Sequence, residues 1–233
     1  MKKSIAIILC CAGAALLLSS CNNSAKKAEK DNEQPAEITK TEQAKADSIA
    51  AAKQAELMDK IAQLPEEPVF DILTSEGVIS VKLYKDTPLH RENFEKLALS
   101  GFYDGLLFHR VIKGFMIQGG DPLTKDPANK DRFGTGGPDY TIPAEILPNH
   151  NHKKGALAAA RRGDAANPMK ESSGSQFYLV QDPDACAQLD GEYSVYGETV
   201  EGLDVIDKIA AVQTGARDCP VKDVKIISVK LHE

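Results

Sequence analysis

Residues 108–122, FHRVIKGFMIQGGDP, set an arginine and a glutamine among side chains that demand burial. Phe108, Val111, Ile112, Phe115, Met116 and Ile117 surround His109, Arg110 and Gln118, and the stretch closes on Gly119-Gly120-Asp121-Pro122. The chemistry on offer is hydrogen-bond donation. Arg110 is a permanent cation whose rigid fork carries five N–H donors, and Gln118 adds an amide that both donates and accepts. Nothing in the stretch calls for a base, so His109 is given no chemical role. Two arrangements satisfy the pattern: a polar pair paired internally within a core, or an apolar pocket in which the polar groups work.

The elements that must position these residues come from a chain of 233 amino acids, enough for one or two domains with a full core. Hydrophobic residues at 42% and charged residues at 27% are ordinary for a globular protein. A net charge of −6 argues against a nucleic-acid partner, which would require a basic face.

The first residues stand apart from the fold. Lys2-Lys3 precede an apolar run from Ile5 to Leu18 that is too short for a comfortable membrane span. The run ends in Leu18-Ser19-Ser20-Cys21, which has the look of a bacterial lipobox, with 1–20 as the signal and acylation at Cys21. An ordinary secretory peptide or a buried helix are the alternatives. Lipidation would tether the protein to a membrane outside the cytoplasm, in the bacterial cell envelope. It would also leave Cys186 and Cys219 as thiols beyond the leader, and whether they pair is open.

Residues 21–65 form a polar spacer without aromatics, too poor in apolar side chains to offset its chain entropy. Its second half, from Thr41 to Leu64, has the composition of a helix, either docked or a solvated stalk. The globular domain is expected over 66–233. VFDILTSEGVISVKLY reads as a hairpin turning at Ser75-Glu76-Gly77. Thr87-Pro88 reads as an N-cap and first helical residue, with Gly101 beyond the helix end. GLDVIDKIAAV reads as a second helix and VKDVKIISVKL as a last strand. LFHRVI, FMIQGG, GALAAA, SQFYLV and YSVYGE are short β runs punctuated by Gly and Pro. The expected class is mostly β: a closed antiparallel eight-stranded barrel capped by two α-helices.

FHRVIKGFMIQGGDP resembles the signature of the cyclophilins, barrel-fold peptidyl-prolyl cis–trans isomerases. The resemblance extends through Phe133-Gly134-Thr135-Gly136-Gly137, Gly155 to Ala160, Gly174-Ser175-Gln176-Phe177, Leu189-Asp190-Gly191 and Val195-Tyr196-Gly197, in the family's order over roughly 68–233. It implies an enzyme that accelerates Xaa-Pro isomerisation in folding polypeptides, without cofactor or metal, and a monomer as the expected unit. In its terms Arg110 is the catalytic donor with Gln118 as its neighbour. Phe115, Met116, Tyr178 and Leu189 form the slot for the proline ring. Gln176 and the backbone at Ala160-Arg161 hold peptide carbonyls, and Tyr193 stands at the rim where many relatives have histidine.

The physical account runs beside the resemblance. Rotation about an Xaa-Pro bond breaks amide resonance against a barrier of roughly 18–20 kcal/mol. Raising exchange from roughly 10⁻² to roughly 10³ per second requires lowering that barrier by about 7 kcal/mol. The twisted transition state localises a lone pair on the imide nitrogen, and a donor aimed there binds it better than the planar ground state.

The chain departs from the family pattern in places. Gln188 replaces the tryptophan before Leu-Asp-Gly of cyclosporin-sensitive members, removing an indole N–H and its stacking face. Arg161 replaces asparagine, Tyr178 replaces phenylalanine, and the loop 163–173 is longer and charged. His150-Asn151-His152 superficially resembles a metal motif but lacks further ligands nearby. The spacer also motivates a second reading, a membrane-tethered proline-peptide-binding module or holdase chaperone with incidental catalysis.

Overall fold

A computed structural model describes residues 35–233, so the signal-like run and Cys21 lie outside the described residues. Helix α1 spans Pro35–Ala62, beginning earlier than the composition of the spacer suggested. Its side chains from 42 to 56 are exposed, and i,i+4 pairs such as Glu56–Lys60 decorate it. Leu64, just beyond it, packs against the core of the domain.

Nine strands follow: β1 (Val69–Thr74), β2 (Gly77–Leu83), β3 (Arg110–Ile112), β4 (Met116–Gly119), β5 (Thr141–Ile142), β6 (Ala156–Arg161), β7 (Ser172–Val180), β8 (Val195–Glu201) and β9 (Ile226–Leu231). Helices α2 (Pro88–Leu99) and α4 (Leu203–Ala210) are the two expected from sequence, and α3 (Pro183–Cys186) is a single turn. All pairings are antiparallel, in the order β3-β4-β7-β6-β8-β2-β1-β9, with β5 added on β7.

The expected closed barrel is corrected here to an open, curled sheet. Its end strands β3 and β9 share no ladder. The reason is local: β3 is three residues long, and the chain before it turns through left-handed Gly101 and Gly105. Only irregular backbone spans the gap, with Phe108 N–H donating to Val224 O at 2.9 Å and Ile226 N–H to Leu106 O at 2.8 Å. The curl comes from register shifts at Leu73/Thr74, Ser80/Val81, Leu157/Ala158 and Ala159/Arg161.

The pleat sorts the side chains onto two faces. Val111, Ile117, Leu157, Phe177 and Leu179 face the concave core, where Phe94 and Leu97 of α2 and Ile206 and Ile209 of α4 pack. Each such side chain, fully buried, contributes about 1.5–3 kcal/mol. Their neighbours Met116, Ala156, Ala158, Tyr178 and Val180 form a separate cluster on the other face, with Cys186 and Val195.

Thr87 does not cap α2 as its type and position suggested, because its hydroxyl donates to Tyr84 O instead. Glu145 takes that place, accepting from the backbone N–H groups of Leu89 and His90 at 2.9 Å each. The same carboxylate pairs with His90 Nδ1 at 2.6 Å, and His90 Nε2 meets Ser172 Oγ at 2.9 Å. His90 and Ser172 are buried and Glu145 is half-buried, and this chain ties α2, the loop at 145 and β7 together.

Candidate active site

Strand register brings the residues of the site into line. Arg110 on β3 lies opposite Gln118 on β4, Gln118 opposite Tyr178 on β7, and Tyr178 opposite Ala158 on β6. Because side chains alternate, Arg110, Met116, Gln118 and Tyr178 emerge on the convex face while Val111, Ile117 and Phe177 fill the core. A cavity of about 170 Å³ opens there, lined by Arg110, Phe115, Met116, Gln118, Ala160, Arg161, Tyr178, Leu189 and Tyr193. Met116 and Tyr178 make a buried floor, with Phe115, Leu189 and Tyr193 half-buried around it. Of the residues the sequence assigned to the site on 35–233, only Gln176 stands outside this cavity.

Gln176 is occupied elsewhere. Its amide nitrogen donates to Gly134 O at 3.1 Å and Gly136 O at 2.7 Å, so the expected hold on a peptide carbonyl is not available from that group. Its oxygen accepts from Gln118 Nε2 at 3.0 Å. Gln118 stands opposite Arg110 as its cross-strand neighbour, its amide N–H donates to Gln176, and the two glutamines bind the glycine loop 134–137 to the site.

That loop has a second anchor. Asp121, fully buried, accepts from Leu123 N–H at 2.8 Å and Gly136 N–H at 3.3 Å, and from Gly134 N–H. Gly120 allows the close turn before it. Its φ is +87°, and a Cβ there would lie 2.2 Å from Ser175 O. The sequence gave no sign that the Asp121 carboxylate organises a loop.

Arg110 has one partner among the described residues. Its Nε donates to Asp218 Oδ2 at 3.4 Å, with the arginine side chain 43% exposed and the aspartate 48%. A second cavity, of about 310 Å³, shares Arg110 and Gln118 and is otherwise lined by His109, Phe133, Gly134, Arg217, Asp218 and Cys219. Sequence reasoning missed Asp218, which lies 108 positions from Arg110 in a turn with no pattern of its own. His109 is buried, and neither ring nitrogen has a hydrogen-bond partner among the described residues. Burial pushes it down to about 4, against the opposing pull of Asp121, so it is neutral at pH 7.

Arg161 does not reach into the slot as a free cation. Its guanidinium lies 4.4 Å over the Tyr193 ring and donates to Glu192 O, Arg162 O and Asp164 Oδ1. It thereby holds the rim tyrosine and the start of the 163–173 loop. Tyr178 carries the hydroxyl that distinguishes it from phenylalanine, and that oxygen is 2.8 Å from His152 Nε2. His152 Nδ1 faces Asp190 at 2.7 Å. Burial holds the imidazole below its ordinary value despite Asp190, so it donates to the carboxylate and accepts from the phenol. His150 pairs instead with Asp86, and the two histidines share no site. Cys186, in the floor cluster, and Cys219, beside the second cavity, are free thiols.

The chain that carries this apolar slot is similar to known proteins over the whole β domain. Residues 69–231 match the family described as cyclophilin type peptidyl-prolyl cis-trans isomerase. A peptidyl-prolyl cis-trans isomerase of Helicobacter pylori is 42% identical over 156 residues, 64% of this chain and 85% of that protein. The human peptidyl-prolyl cis-trans isomerase-like 1 is 36% identical over 155 residues, 66% of this chain and 86% of its own. Among solved structures, a cyclophilin type isomerase of Cryptosporidium parvum, crystallised in the presence of the dipeptide ala-pro, superposes with a TM-score of 0.62 at 27% identity. It covers 71% of this chain and 99% of that one. With the family matched across the whole β domain and the slot built from it, the chain belongs to the cyclophilin-type peptidyl-prolyl cis–trans isomerases.

Proposed function

We propose that this protein accelerates Xaa-Pro exchange in polypeptides folding in the bacterial envelope, with Arg110 as the transition-state donor. The observation that carries the mechanism is the placement of a permanently charged guanidinium, half exposed, at the edge of an apolar cavity lined by Phe115, Met116, Tyr178 and Leu189. The proline ring sits in the slot, which desolvates it. A terminal N–H of Arg110 meets the imide nitrogen as that atom becomes pyramidal and gains a lone pair. The planar imide is a poor acceptor, so the hydrogen bond strengthens only on the way to the twisted state and lowers the barrier. Lowering it by about 7 kcal/mol draws on this bond, on burial of the ring and on fixing the flanking carbonyls. No proton changes hands.

Exchange between cis and trans forms of an Xaa-Pro peptide, followed by NMR, tests the proposal. Arg110→Ala is expected to lose about 10²–10³-fold in kcat, the scale set by removing one preorganised donor. Wild-type rates from Arg110→Ala would refute the mechanism, and equal exchange with and without protein would refute the activity. The envelope location rests on Lys2-Lys3, the apolar run and Cys21 of the sequence. Membrane fractionation of the full chain against Cys21→Ala tests it, with release into the soluble fraction as the expected result.

A further inference from the structure

We infer that Asp218 is the positioning residue for Arg110, holding the guanidinium by its Nε so that both terminal nitrogens face the peptide. The inference rests on the reading of Arg110 as the donor. A long, half-exposed arginine samples many rotamers, and a donor is useful only when its N–H is aimed. The neighbour expected to aim it, Gln118, stands opposite across the strand pair and donates its amide N–H to Gln176 at 3.0 Å, with no hydrogen bond to Arg110 among the described residues. Asp218 Oδ2 accepts from Arg110 Nε at 3.4 Å, and Nη1 and Nη2 have no partner among the described residues. A guanidinium gripped at Nε keeps all four of its terminal N–H donors free, whereas one gripped across both terminal nitrogens would give up two of them.

The turn that presents Asp218 is built for that placement. Arg217 and Asp218 both adopt φ of 58°, in the left-handed region that non-glycine side chains avoid. Two such residues in succession persist only where the surroundings force them, and that condition is met here. Arg217 donates to Asp131 O at 2.8 Å and Lys130 O at 2.6 Å, and Gly215 N–H donates to Cys219 O at 2.8 Å. An exposed ion pair by itself holds little. Here one partner is fixed by its own backbone, so the ordering cost falls mainly on Arg110.

The test uses the full chain and two substitutions chosen for the left-handed backbone. Asp218→Gly keeps that conformation and deletes the carboxylate, while Asp218→Asn keeps both the conformation and an acceptor oxygen. For an Xaa-Pro peptide, Asp218→Gly is expected to lower kcat about three- to tenfold with KM within about twofold, and Asp218→Asn to retain more than about half of kcat. The Arg110 Hε–Nε resonance should move in Asp218→Gly and remain near its wild-type position in Asp218→Asn. In an Arg110→Ala background Asp218→Gly should change nothing further. Equal losses in both backgrounds, or an unchanged kcat in Asp218→Gly, would overturn the inference. If Arg110→Ala itself retained full kcat, the donor reading would fall and the inference with it; an unmoved Nε resonance with Arg110 essential would remove Asp218 alone.

Discussion

Lowering the pH from 7 to 5 is expected to cost this domain about 2 kcal/mol of stability through one residue, His109. Burial holds its imidazole at about 4 in the folded protein, against 6.5 for an unhindered histidine. The unfolded chain therefore binds a proton that the folded chain refuses. Stability is full above pH 6.5, falls as pH drops through 6.5, and stops falling below about 4. The complete difference of 2.5 pH units corresponds to about 3 kcal/mol, of which roughly 2 are lost by pH 5. His152, also depressed by burial, adds to the decline, while exposed His232, raised by Asp71, opposes it weakly. Carboxylates held low, such as Glu145, begin to contribute only as pH approaches 4.5, while buried Glu95, raised by burial, opposes the decline. Urea unfolding at pH 7, 6 and 5 measures the effect for wild type and His109→Gln. The variant should lose most of the slope whatever its absolute stability, with m unchanged. A decline of the same size in His109→Gln, or an imidazole signal for residue 109 titrating near 6.5, would refute the reasoning.

Tyr178→Phe removes the hydroxyl that donates to His152 Nε2 at 2.8 Å and leaves a buried acceptor unmatched. Urea unfolding should show a loss of about 1–3 kcal/mol, while kcat/KM stays within about threefold because the ring still floors the slot. Gly120→Ala places a methyl 2.2 Å from Ser175 O at a φ of +87°. More than about 3 kcal/mol of destabilisation is expected, and a native circular-dichroism melt for that variant would contradict the role given to the glycine.

The sequence carried the parts of this molecule that depend on pattern. Alternation located the strands, Thr87-Pro88 and Gly101 bracketed α2, and the 108–122 stretch together with Tyr178, Leu189 and Tyr193 identified the residues that converge on one cavity. What it did not carry depends on how particular polar atoms share partners. Glu145 and not Thr87 caps α2, because a carboxylate 55 or 56 positions away reaches the helix start. Gln176 looked like a ligand for peptide carbonyls and is saturated by two glycine carbonyls of its own chain. Asp218 reaches Arg110 through a left-handed turn that no residue type announces. Closure of the barrel likewise turned on the length of β3, and element ends are what periodicity defines least well.

The two faces of β4 and β7 explain why so few residues suffice for the chemistry. Ile117, Phe177 and Leu179 anchor these strands in the core, so the backbone that carries the intervening Met116, Gln118, Tyr178 and Val180 is fixed, and hydrogen bonds to Gln176 and His152 complete the placement of Gln118 and Tyr178. Ring-edge packing of Phe177 against Phe94 and Tyr103 locks the backbone on which Tyr178 stands. The slot floor is in this sense the outer surface of the core, and its precision derives from burial energy already spent on folding. Arg110 is the exception. It lies on a three-residue edge strand and is half exposed, and Val111 is the only residue of that strand facing the core. Arg110, the proposed donor, is thus the residue of the site least constrained by the sheet, and its one hydrogen-bond partner among the described residues, Asp218, stands outside the sheet on the left-handed turn at 217–218.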